Sequence, residues 1–77
     1  MSLEQVQSFH MSRPFVPFTI HLASGQDVRV GHPECLTYAA NGRSIAIAGP
    51  NDAVRILGLL LVESIELALP SRFQRPN

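Results

Sequence analysis

The chain has 77 residues, 45% of them hydrophobic and 16% charged, a composition that folds and that excludes a disordered tail. Six Arg, with no Lys, offset six Asp plus Glu, so the formal net charge is zero and there is no general attraction to polyanions. One domain this short buries only roughly 60–65% of the surface its unfolded chain exposes, which makes self-association a natural source of added stability.

Ser2 and Gln5 have the spacing of a capping box, which predicts a short helix over Leu3 to Met11. Leu3, Val6 and either Phe9 or His10 recur about one turn apart and give it a narrow apolar stripe. Pro14 ends it, and the segment Arg13 to Phe18, stiffened by Pro14 and Pro17, reads as an internal strap that holds Phe15 and Phe18 on the core. From Phe18 the period changes to two: Phe18, Ile20 and Leu22 lie on one side, Thr19 and His21 on the other, as in a half-buried strand. Gly25 supplies the positive φ for a hairpin, and Val28 and Val30 alternate with Asp27 and Arg29 in the returning strand.

The segment Gly31-His32-Pro33-Glu34 predicts a break or bulge, after which Leu36 to Ala40 is extended again. Asn41-Gly42 carries the signature of a type I′ hairpin, with both residues at positive φ, into a strand over Arg43 to Ala48. A further turn over residues 49–52 precedes a strand over Ala53 to Leu57, with Val54 and Ile56 facing inward. The longest apolar stretch, Ile56 to Val62, is seven residues with Gly58 inside it, far short of the roughly 20 that span a bilayer, so no membrane partner is expected. A two-faced strand, or a strand that bends sharply at Gly58, would both explain this stretch. Beyond it, period two (Ile65, Leu67, Leu69) competes with a helical spacing and matches more cleanly. The expected organisation is a single domain over residues 1–70 and a flexible tail over 71–77, mainly β, with an N-terminal helix and a five-stranded small barrel of Sm-like or SH3-like type.

His32 and Cys35, three apart, are the most chemical-looking pair, and His21 is available from a neighbouring strand. Zinc normally takes four ligands, and with no second His or Cys pair neither a metal nor another cofactor is expected. A thiolate–imidazole enzyme at His32 and Cys35 is the third-ranked function, since no orienting group or oxyanion donor accompanies the pair. His21, Ser24 and Asp27 hold the residue types of a hydrolytic triad but surround a turn, where such side chains serve local hydrogen bonding. The lone Cys35 excludes an internal disulfide, and Glu4 with no basic segment ahead of an apolar one shows no secretory signal, so the expected location is the cytoplasm. Arg13, Arg72 and Arg75 gather at the two ends of the domain.

The order helix, strand, glycine turn, strand, further strands and a last apolar strand after a short break is similar to the Sm-like family. Phe18 to Gly25 resembles that family's first strand and turn, and Leu61 to Leu67 its last strand. The family's acidic or amide residue before the turn glycine is Ser24 here, and its second glycine falls on Val30, so its RNA contacts are not carried over residue by residue. The phrase Arg13-Pro14-Phe15-Val16-Pro17-Phe18-Thr19-Ile20-His21-Leu22, with Gly25 and His32-Pro33-Glu34, also resembles a group of short bacterial proteins. Two open sheet edges invite strand pairing with another copy, with the apolar segment Leu57 to Val62 partly in that contact, so a homo-oligomer is expected; as an Sm-like ring it would bind single-stranded RNA through Arg13, His21, Tyr38, Arg72 or Arg75. The alternative is a module that completes a larger complex with a protein partner by edge pairing or through its tail. Neither reading is enzymatic.

Overall fold

The computed structural model describes residues 1–49, 51 and 53–68, so the expected tail, Arg72 and Arg75 lie outside the described residues. Helix α1 spans Leu3–His10, with the capping box formed: Ser2 Oγ accepts from the Gln5 amide at 3.3 Å and Gln5 Oε1 accepts from the Ser2 amide at 2.9 Å. Val6 is completely buried, while Leu3 and Phe9 pack partly buried against the core. The strap then brings Phe15 beside Phe18, whose ring centroid lies 5.9 Å from that of Phe15 and 6.0 Å from that of Phe9.

Six strands follow: β1 (Phe18–Leu22), β2 (Asp27–Val30), β3 (Leu36–Tyr38), β4 (Ser44–Ala48), β5 (Val54–Gly58) and β6 (Val62–Leu67). They form two antiparallel sheets ordered β2-β1-β6 and β3-β4-β5. Phe18, Ile20 and Leu22 are buried as their alternation requires, and with Val28 and Val30 they meet Ile45, Ile47 and Leu57 of the other sheet, and Leu59 just beyond it, in one core cluster. The β1–β2 hairpin closes with Gly25 at φ 93° and its amide donating to the Leu22 carbonyl at 2.9 Å. A side chain at that φ is strained, which is why glycine stands there.

The structure departs from the expected five-stranded barrel. Among the described residues no strand pairing joins the two sheets, and six strands replace five. The physical cause is the 3-10 turn Pro33–Cys35, which begins at a residue without a backbone donor and diverts the chain from the first sheet to the second, separating β2 from β3. A second 3-10 turn, Leu59–Leu61, returns it to the first sheet, so of the two readings near Gly58 the bend is found and the two-faced strand is not. Gly58 itself is extended at φ −76°, and the segment beyond the turn is a strand.

Two turn and facing expectations are corrected. Only Gly42 of the Asn41-Gly42 pair has positive φ, at 70°. Because Ala39 pairs with Ser44, the loop is longer than a type I′ hairpin allows, and Asn41 Oδ1 instead accepts from the Arg43 amide at 2.8 Å. Val54 and Ile56 do not face inward: they are 63% and 75% exposed, and Leu57 is the buried residue of β5. The register Ile45↔Leu57 and Ala46↔Ile56 fixes this, because Ile45 and Ile47 occupy the core side of β4 and their partners must share it. Among the described residues no helix is long and apolar enough to cross a membrane.

Candidate functional site

The densest cluster of titratable groups lies on the outer face of the first sheet, where β1 is the centre strand. His21 faces Asp27 on β2 and reaches Glu66 on β6: Nδ1 is 2.7 Å from Asp27 Oδ1 and Nε2 is 2.9 Å from Glu66 Oε1. A carboxylate only accepts, so both ring nitrogens donate and the ring is the imidazolium. The hydrogen bond to Asp27, then that to Glu66, holds the His21 pKa above its ordinary 6.5, against a smaller opposing effect of desolvation. The cluster is net negative and its ring donors are taken, so His21 offers no free donor to a phosphate. Ser24 does not join it. Its hydroxyl accepts from the Gln26 amide at 3.4 Å inside the turn, in line with local hydrogen bonding and not a triad.

A raised histidine pKa means the folded chain holds a proton that the unfolded chain has begun to release. The stabilisation is complete below pH 6.5 and is lost as pH rises through the folded-state value. Thermal melts from mildly acidic to mildly alkaline pH are therefore expected to show stability falling in the wild-type chain, and His21→Gln is expected to flatten that slope. A slope unchanged by the substitution would assign the effect to other groups.

A second histidine, only an alternative on the α1 stripe by sequence spacing, ties that helix to the second sheet. His10 Nε2 lies 2.6 Å from the Pro33 carbonyl and Nδ1 lies 2.6 Å from the Tyr38 hydroxyl, with the two rings edge-on at 5.3 Å. The carbonyl can only accept, so Nε2 carries a proton. Burial pushes the Tyr38 phenol above its ordinary pKa and keeps it a donor to Nδ1. Tyr38 is thus half-buried and engaged, while Arg13 is exposed and lines an open groove of about 450 Å³ with His10, Met11, Ser12, Phe15 and Pro33. The structure places Arg13 in a groove with His10, bonds Tyr38 to His10 and sets His21 apart in the first sheet. Sequence spacing carried no signal for the His10–Tyr38 bond, whose partners are 28 residues apart.

His32 precedes the first 3-10 turn and Cys35 is its last residue; His32 is exposed and Cys35 is a free, half-buried thiol. Among the described residues no three His, Cys, Asp or Glu side chains are placed to share a metal ion. In the His21 cluster the carboxylates sit on the two different ring nitrogens, which point away from each other, so one ion cannot take all three.

The remaining unusual surface is apolar. The outward positions of the second sheet are Thr37, Ser44, Ala46, Ala48, Val54 and Ile56, none of them charged. In the second 3-10 turn, which follows β5, Leu60 is 95% exposed and Leu61 58%. Scattered exposed aliphatics are ordinary, but a contiguous uncharged face ending at a free sheet edge is not. Comparison of the chain with protein-family models, with curated proteins and with solved structures returns no significant match.

Proposed function

We propose that the protein is a non-catalytic assembly module that associates with copies of itself through the uncharged outer face and the β5 edge of its second sheet. The observation that carries this reading is the exposure of Val54 and Ile56 on β5, which among the described residues pairs on one side only, with β4. In water these side chains forgo roughly 1.5–3 kcal/mol each relative to full burial. A domain of this size has little stability to spare. The strand order, with a short break before the last strand, supports the finer Sm-like or SH3-like reading of the fold, in which β2 and β3 stand for two halves of one bent strand.

Sedimentation velocity across the micromolar range tests the association. The wild-type chain is expected to sediment above its 8.4 kDa monomer mass, and Ile56→Glu is expected to shift it to monomer by weakening association at least tenfold. Because Ile56 is 75% exposed, the variant keeps its fold and melting temperature. A wild-type chain that stays monomeric throughout overturns the reading.

A second reading, binding of single-stranded RNA, draws on the same strand order and on exposed Arg13, which shares the lining of its groove with Phe15. The nuclease-treated preparation titrated with mixed-sequence single-stranded RNA decides it: salt-sensitive binding supports it, and no binding at low salt rejects it.

A further inference from the structure

Two three-stranded sheets have four outer strands, and they differ in how they guard their free edges. β2 carries Asp27 and Arg29, and β6 carries Glu63 and Glu66. β3 is only three residues long. Charges and shortness are the usual means of keeping an edge from pairing. β5 has five residues and one charged side chain, Arg55, whose Nη2 is occupied by Gln26 Oε1 at 2.9 Å.

The hydrogen-bond phase of β5 follows from both ends of its ladder. Leu59 donates to the Arg43 carbonyl and Gly49 donates to the Ala53 carbonyl, so Ala53, Arg55, Leu57 and Leu59 spend their backbone groups on the β4 side. Val54 and Ile56 therefore point their amides and carbonyls outward, and no described residue bonds to them. These are also the two residues whose apolar side chains are exposed.

We infer that β5 pairs antiparallel with β5 of a second copy, with Ile56 on the two-fold axis, joining two three-stranded sheets into one of six. This rests on the self-association proposed above and specifies its partner and geometry. In this register Ile56 exchanges both backbone bonds with the partner's Ile56, and the Gly58 amide reaches the partner's Val54 carbonyl. Arg55 stands opposite the partner's Leu57. Centring the pair on Arg55 sets two guanidinium groups face to face, which is unfavourable for directly opposed residues. Centring it on Leu57 sets Arg55 against the partner's Leu59, which lies in the 3-10 turn and is not extended. The uncharged strips of Ala46, Ala48, Val54 and Ile56 then become continuous across the axis. An isologous contact of this kind closes at two copies, and the guarded edges of β2, β3 and β6 stop further growth. A contact through one pair of short edge strands falls at the low end of interface sizes, so the association is sought across the micromolar range.

The test is disulfide trapping in a Cys35→Ser background, run beside sedimentation of the same samples. Opposed residues of a hydrogen-bonded antiparallel pair have Cα atoms about 5.5 Å apart, inside the roughly 4.4–6.8 Å that a disulfide spans. Ile56→Cys is expected to oxidise to a covalent dimer. Ala48→Cys, on the same face but one strand away from the axis, is expected to stay reduced. In the unmodified chain the Ile56 amide is expected to exchange more slowly as protein concentration rises through the dissociation constant. Cross-linking through Ala48→Cys instead of Ile56→Cys would show that the sheets stack face to face and would overturn edge pairing. A dimer by sedimentation with neither cross-link nor concentration-dependent protection would overturn this geometry while leaving self-association intact. A monomer at every concentration would overturn both.

Discussion

Phe18→Ala is expected to leave much of the chain unfolded at room temperature. Phe18 is completely buried at the start of β1 and, among the described residues, is the one aromatic ring that touches both the helix and the strap, through Phe9 and Phe15. Truncating a buried Phe removes about 3–5 kcal/mol, the lost transfer energy plus the cavity left behind. A domain of 77 residues holds in total roughly 4–12 kcal/mol, so the loss consumes a large share or all of it. Urea unfolding followed by far-UV circular dichroism reads the effect as a collapse of the folded baseline. Phe15→Ala, at a half-buried position, is expected to lower the midpoint and keep a folded baseline. If Phe18→Ala costs less than about 1 kcal/mol, Phe9 and Phe15 close over the gap and the three rings are not a fixed cluster.

What the sequence made legible here is what depends on near neighbours. The Ser2–Gln5 capping box, the burial alternation of β1 and the positive φ of Gly25 each rest on residues at most four apart, and each is realised. The β5 facing is not legible in the same way. Residues 53–57 offer two apolar alternations, and placing Arg55 outward makes Val54 and Ile56 look like the core pair. The phase is set instead by β4, whose Ile45 and Ile47 hold the core side, so Leu57 goes in. Arg55 shares that side and escapes at the sheet edge to Gln26. The exposed apolar strip is the consequence, which is why local spacing alone puts the proposed assembly surface in the interior. The His10–Tyr38 and His21–Glu66 bonds span 28 and 45 residues, a separation that only the fold itself closes.

Val6→Asp is expected to detach α1 from the sheets. Val6 is the one fully buried residue of that helix, and no described hydrogen-bond donor waits for a carboxylate there. Burying an unpaired charge costs several kcal/mol, and the chain can limit the cost only by undocking the helix or by protonating the new side chain. Undocking forfeits the packing of Leu3 and Phe9 and the bonds from His10 to Pro33 and Tyr38. An eight-residue helix does not persist alone in water, capping box or not, so helical signal disappears with it. The expected loss is about 3 kcal/mol or more by urea unfolding, against a change within about 0.5 kcal/mol for Ser8→Asp on the exposed face. Acid separates the two escapes. If the helix stays docked, burial raises the pKa of the introduced carboxyl group, so the deficit relative to wild type shrinks as pH falls toward about 4; an undocked helix shows no such recovery. A Val6→Asp chain as stable as the wild type would mean that the strap alone seals Phe18 and that α1 adds nothing to the core.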